Sequence, residues 1–208
     1  MTSLHNPLSI PDRFDHLFKV ISSDRFLQKQ GLGNEVPFFI CPFDPRETVE
    51  MERMAGQLAR RLEYQRIGVL EINLYDLAIE LLRVRGIWER ILEMEPAVDK
   101  DRLKELLQGV LDPETHLVPA IAEQMRSRAE SAAPFHVIFI TGVGQVFPYI
   151  RSHNVLNNLQ STATDQPTLL FFPGTYTKSL ESGASLDLFG KLHDDRYYRA
   201  FNIYSMGV

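Results

Sequence analysis

The sequence is short of the residues from which small active sites are usually assembled. Among its 208 residues there is a single cysteine, Cys41, which excludes an internal disulfide and a cysteine zinc cluster. Lys and Arg do not outnumber Asp and Glu. The formal charge is -5, so the excess of cations that nonspecific nucleic-acid binding draws on is missing. No apolar run approaches the roughly 20 residues needed to cross a bilayer. The segment Met1-Thr-Ser-Leu-His-Asn-Pro7 has no basic stretch followed by an apolar core, so a secretory signal is not expected. These features point to a cytoplasmic protein with no membrane contact.

Motif by motif, catalytic chemistry is also missing. The six histidines, at 5, 16, 116, 136, 153 and 193, form no HExxH pair, and His193-Asp194-Asp195 reads as a solvated turn, so no metal is expected. A phosphate-binding loop needs GxxxxGK followed by Ser or Thr. The one Gly-Lys pair, Gly190-Lys191, is followed by Leu192, and Gly183 lies too far upstream. Gly183-Ala-Ser185-Leu-Asp187 lacks the second glycine of a nucleophile elbow. Cys41 sits in an apolar stretch and reads as a small buried hydrophobe. No catalytic residue and no cofactor is assigned, and the protein is expected not to be an enzyme.

What is present is an alternation of strands and helices. Apolar residues make up 44% of the chain and charged residues 24%, ordinary for a globular domain. Phe14, Leu17, Phe18 and Ile21 mark a helix opened by Pro11-Asp12, and Ser22-Ser23-Asp24 caps a second through Leu27. Gly31-Leu-Gly33-Asn34 breaks the chain. Strands are expected at Val36–Cys41, Ile67–Leu74, Phe135–Ile140, Thr168–Phe172 and, at an edge, Tyr198–Tyr204. Asp44-Pro45 begins a helix to about Glu63 with Val49, Met54, Leu58 and Leu62 as its stripe. Another helix runs from Tyr75 to near Gly86. Residues 87–130 read as helical throughout, interrupted at Pro96, at Asp112-Pro113 and at Pro119. Residues 174–185, rich in Gly, Ser and Thr, read as a mobile loop, and Ser185–Phe189 as a helical turn. The expectation is one α/β domain over 1–208, with a mainly parallel sheet of about five strands flanked by helices. Its 87–130 segment would be a helical insertion or subdomain.

One stretch stands out. The strand ending at Thr141 runs into Gly142-Val143-Gly144, and a helix is expected over Phe147–Gln160. Ligands of α/β proteins gather at such strand-to-helix turns. Gly142 and Gly144 supply two glycines of a dinucleotide fingerprint, but Phe147 holds the third position. Asp165, at the spacing of the ribose acid, precedes the next strand instead of following it. On a helical projection Tyr149, Val155, Leu156 and Leu159 fall on one side, and Arg151, His153, Asn154, Asn157 and Asn158 on the other. Asparagine is a poor helix former, so three of them beside an Arg and a His suggest specific hydrogen bonding. The partner of that face is either internal or another molecule. The candidate recognition residues are Thr141, Gly142, Gly144, Arg151, Ser152, His153, Asn154, Asn157 and Asn158.

Several segments in order resemble a known family. They are Gly31–Ile40, Val69–Leu77, Phe139–Gly144, Phe147–His153, Asn157–Gln160, Leu170–Tyr176 and Tyr197–Ile203. Together they look like BrxB, a small component of bacteriophage exclusion (BREX) systems, and the likeness runs from about residue 10 onward. The resemblance implies an assembly or adaptor role without catalysis of its own. It further implies bridging between a PglZ-type phosphatase-like protein and a large ATPase, beside a DNA methyltransferase, with DNA reached only through the complex. The alternative is a degenerate ATPase-like regulator binding nucleotide at Gly142–Gly144.

Overall fold

A computed structural model describes residues 8–30, 37–131, 133–163, 165–179, 183–189, 192–194 and 200–207. Its centre is a parallel sheet formed by β1 (Phe38–Phe43), β2 (Val69–Asn73), β3 (Val137–Thr141), β4 (Thr168–Ser179) and β7 (Phe201–Asn202), in the order β2-β3-β4-β1-β7. Every strand of this path runs the same way. Ile40 pairs with Leu170, and Leu170 in turn with Ile140. Strand residues alternate between two cores, as a two-sided sheet requires. Phe38, Ile40, Ile72, Ile140, Leu170 and Phe172 face one apolar cluster. Phe39, Cys41, Val69, Phe139, Leu169 and Phe171 face the other. The sequence expectation of a mainly parallel sheet between helices is what the chain forms.

The second cluster is closed by α1 (Ile10–Ile21), α2 (Asp24–Leu27) and α3 (Thr48–Tyr64). Ser9 and Ser23 cap the first two helices by accepting the backbone N–H of Asp12 and Phe26. Asp44 accepts from the Arg46 N–H and starts a short 3-10 turn, Pro45–Glu47, that leads into α3. Met51, Met54, Ala55, Leu58 and Leu62 form the buried stripe of α3. Val49, expected in that stripe, is 70% exposed, because it sits two residues before Met51, about 200° around the helix from the buried stripe. Arg13 is buried at 4% exposure and donates to Glu47 at 2.6 Å, tying α1 to the entry of α3.

The other α-helices among the described residues lie on the other face. They are α4 (Leu74–Val84), α5 (Trp88–Met94), α6 (Lys100–Val110), α7 (Val118–Ala129), α8 (Val143–Val146) and α9 (Ser152–Leu159). The 87–130 segment is therefore helical, with breaks around Pro96 and at Asp112, which caps a π turn over Pro113–Leu117 by accepting from the Thr115 N–H. Pro119 is no interruption. It sits in the first turn of α7, where a missing N–H costs nothing. Leu103, Leu107, Leu117 and Ile121 share one apolar cluster with the sheet residues Ile72, Ile140 and Leu170.

Larger corrections concern two other segments. The helix expected over Phe147–Gln160 begins only at Ser152, as α9; residues 147–151 form a turn containing the cis Phe147–Pro148 peptide, and the four-residue α8 precedes it. Proline cannot donate into a helix and restricts the residue before it. The expected loop at 174–185 and the turn at Ser185–Phe189 are instead a hairpin. β4 continues past Pro173 to Ser179 and pairs antiparallel with β5 (Gly183–Leu188), which pairs with β6 (Leu192–Asp194). Tyr176 is buried and donates its hydroxyl to the Ala200 carbonyl at 2.7 Å, so this part of β4 is anchored to the core by a side chain. The last strand is shorter than expected: Phe201–Asn202 pairs with Phe39 and Ile40, and Ile203–Ser205 turns as a 3-10 helix. The Gly31–Asn34 break and Tyr198 lie outside the described residues.

Candidate functional site

Chains of this topology place ligands beyond the carboxyl ends of the strands, where successive helices leave for opposite faces. Here β1 feeds α3 on one face and β3 feeds α8 on the other, with β4 between them in the sheet. Two cavities open at the strand ends, one against β2 and β3 and one against β1, β4 and β3, and they share Glu52 and Thr141. One, of about 460 Å³, is lined by Glu52, Glu71, Asn73, Asp76, Glu80 and Thr141, among others. The other, of about 230 Å³, is mainly apolar, with Phe43, Met51, Phe171, Pro173 and Phe189 around Thr141–Gln145.

Most polar residues at these strand ends are engaged in local structure. At the end of β1 the Asp44 carboxylate caps the turn that enters α3, placing an anion where a phosphate loop would hold its ligand. At the end of β2, Asn73 Oδ1 accepts from the N–H groups of Tyr75 and Asp76, at 2.9 and 3.3 Å, and starts α4. At the end of β3, Gly142 adopts φ 76°, and a Cβ there would collide with Asn73 Oδ1. Gly142 is thus a packing glycine in a tight turn. The helix that follows it has only four residues, Val143–Val146.

The crevice is acidic. Loss of solvent, and then the neighbouring Asp76, raise the Glu52 carboxyl above its ordinary value of 4.5. Glu71 is raised by loss of solvent and then by Glu63, with Arg60 pulling the other way. Among the described residues, neither cavity is lined by a Lys, Arg or His. A polyanion bound beside Gly142–Gly144 would face these carboxylates with nothing opposite to balance it, which works against the nucleotide reading. No group of His, Cys, Asp and Glu among the described residues has metal-holding geometry. Cys41 is fully buried beside the Tyr204 hydroxyl at 3.3 Å, and burial pushes its thiol up to about 12, too high for a nucleophile at neutral pH.

The expected recognition residues are dispersed by the structure. Thr141 lines both cavities, and Gly142 and Gly144 shape the apolar one. Arg151 and Asn157 are exposed, and Ser152, Asn154 and Asn158 are half-buried. Asn158 turns its amide back to the Asn154 carbonyl at 2.8 Å. His153 is 3% exposed and lies inside the protein, not on the outward face with its neighbours. Sequence reasoning missed Glu52, Glu71, Asp76 and Glu80, which come from three different elements. The one local trace of them is the Asp76–Glu80 pair, one turn apart on α4.

Comparison with known proteins identifies the family of the chain. Residues 70–203 match the family described as BREX protein BrxB. A BREX protein BrxB of Bacillus cereus (strain H3081.97) is 33% identical over 195 residues, covering 93% of this chain and 97% of that protein. One of Escherichia coli O9:H4 (strain HS) is 31% identical over 191 residues, covering 92% and 90%. No solved structure matches. The chain belongs to the BrxB family, and that membership makes it a component of a BREX phage-defence system. Among the described residues no helix is long and apolar enough to cross a membrane.

Proposed function

We propose that this chain is a non-catalytic interaction component that bridges the PglZ-type protein and the large ATPase of its BREX system. The observation that carries the proposal is the use made of the strand ends. Asp44, Asn73 and Gly142, at the positions where an α/β enzyme does its chemistry, are committed to capping and turning, beside an acidic crevice. Family membership supplies the setting. The DNA methyltransferase and DNA itself are reached through the complex, and the protein acts in the cytoplasm with no cofactor. The outward residues Arg151, Asn154 and Asn157, with Ser152 beside them, contact a partner. Thr141, Gly142, Gly144, His153 and Asn158 hold that segment in place.

Affinity purification of a tagged chain from cells expressing the whole locus tests this. The PglZ-type protein and the ATPase are expected to co-elute at stoichiometric ratio. Recovery of the chain alone under low salt overturns the reading. Calorimetric titration with ATP at millimolar concentration separates it from nucleotide regulation, since a saturable heat would favour the latter.

A further inference from the structure

Helix α4 is a ridge with two unlike flanks. Tyr75, Ile79 and Leu82, at i, i+4 and i+7, line a groove of about 230 Å³ that Trp88, Leu92 and Tyr149 help to close. Tyr75 and Leu92 are 45% and 43% exposed there, so two large apolar side chains are open to solvent on the same groove. One residue along, Asp76 and Glu80 line the 460 Å³ acidic cleft with Glu52 and Glu71. The groove is smaller than the usual range for drug-sized ligands, about 300–1,000 Å³, and suits anchoring side chains instead. Trp and Tyr are also the residues that dominate binding energy at protein interfaces.

The charge of the surroundings selects the occupant. Among the described residues Glu95 is the one charged residue lining the groove, and the adjoining cleft adds four carboxylates. Of the cations in the same segment, Arg90 is exposed on α5, while Arg83 and Arg85 are engaged within the chain and neither lines the groove or the cleft. Arg83 stacks over the Trp88 ring at 5.7 Å, and Arg85 donates to the Val110 carbonyl at 2.8 Å. A second copy of this chain, docked by two-fold symmetry, would set the acidic flank against itself. We propose that the α4 ridge docks a basic amphipathic helix of a partner protein. The helix seats apolar side chains in the Tyr75–Leu92 groove and reaches Lys or Arg across α4 to Asp76 and Glu80. This rests on the interaction role proposed above and names the surface and chemistry that serve it.

The test uses the full chain and the purified proteins of the same locus. Binding is measured for wild type, Leu92→Asp, Glu80→Lys and, as a control on the far side of the sheet, Tyr64→Asp, which alters a residue 91% exposed at the end of α3. Each ridge variant is expected to weaken binding at least about tenfold, while the control matches wild type. Glu80 is exposed, so Glu80→Lys carries the test even if Leu92→Asp perturbs folding. A photo-crosslinker installed at Tyr75 is expected to mark a partner segment with apolar residues spaced three to four apart and flanked by Lys or Arg. Equal binding by all four proteins overturns the docking surface and leaves the interaction role standing. Crosslinking to a second copy of this chain, or to an acidic segment, overturns it as well. Failure of wild type to bind any protein of the locus overturns both.

Discussion

Asn73 and Gly142 interlock across the ends of adjacent strands: the Asn73 side chain that starts α4 fills the space a Cβ on Gly142 would need. The two residues follow from strand register, since Asn73 pairs with Thr141 in the β2–β3 ladder. One asparagine therefore caps a helix and fixes the glycine turn that launches the next element.

That relationship gives a stability prediction with an internal control. Gly142→Ala combines a left-handed backbone with a collision, whereas Gly86→Ala, at φ 68°, meets open space. The first is expected to cost about 3 kcal/mol or more, lowering the melting temperature by about 6–12 °C, and the second about 1 kcal/mol. Equal losses measured by thermal unfolding would show that Asn73 makes room.

Burial should silence the single thiol. Cys41 in the folded protein is expected to resist iodoacetamide at pH 8 for hours and to react once the chain is denatured, followed by intact mass. Rapid labelling of the native protein would mean that β1 is open near Tyr204.

The acidic cleft predicts a pH signature. Glu52 holds its proton more tightly in the folded state than in the unfolded chain. Folded stability therefore falls as pH rises through the window that begins near 4.5, and the loss is complete above the raised value. Glu52→Gln removes that loss. Because the group is largely solvated, the gain is modest, about 1–2 °C in melting temperature at pH 7 and none well below pH 4.5. A variant less stable than wild type at pH 7 would mean that the Glu52 carboxylate is paired.

Outward residues after the turn should matter for association alone. Arg151→Ala combined with Asn157→Ala is expected to weaken partner binding about tenfold while the melting temperature moves by no more than about 1 °C. A large fall in melting temperature would place these side chains in the interior with His153.

Much of the fold was legible because local chemistry forced it. Asp44-Pro45 is a cap and a helix start in almost any context, and runs such as Val137–Ile140 have little choice but a two-sided strand. The failures have physical causes as well. Thr175–Thr177 read as loop and Ser185–Asp187 as a helical turn because their stability as strands comes from pairing with each other and from the Tyr176 anchor, which no local window contains. Phe147–Gln160 read as one helix because its apolar spacing continues through Pro148. His153 falls on the polar side of a helical projection drawn through Tyr149 and Arg151, but the helix starts only at Ser152 and buries it with Val155 and Leu156. The acidic crevice was hidden for a plainer reason. Glu52, Glu71 and Asp76 lie on α3, β2 and α4, and only the fold brings them to one rim.

The central claim is that this chain assembles rather than reacts. Sedimentation velocity on equimolar mixtures of the purified chain, the PglZ-type protein and the large ATPase tests it most directly. The account predicts a boundary containing all three proteins, lost when this chain is omitted. Three independent boundaries, or a PglZ–ATPase complex indifferent to its presence, would contradict it.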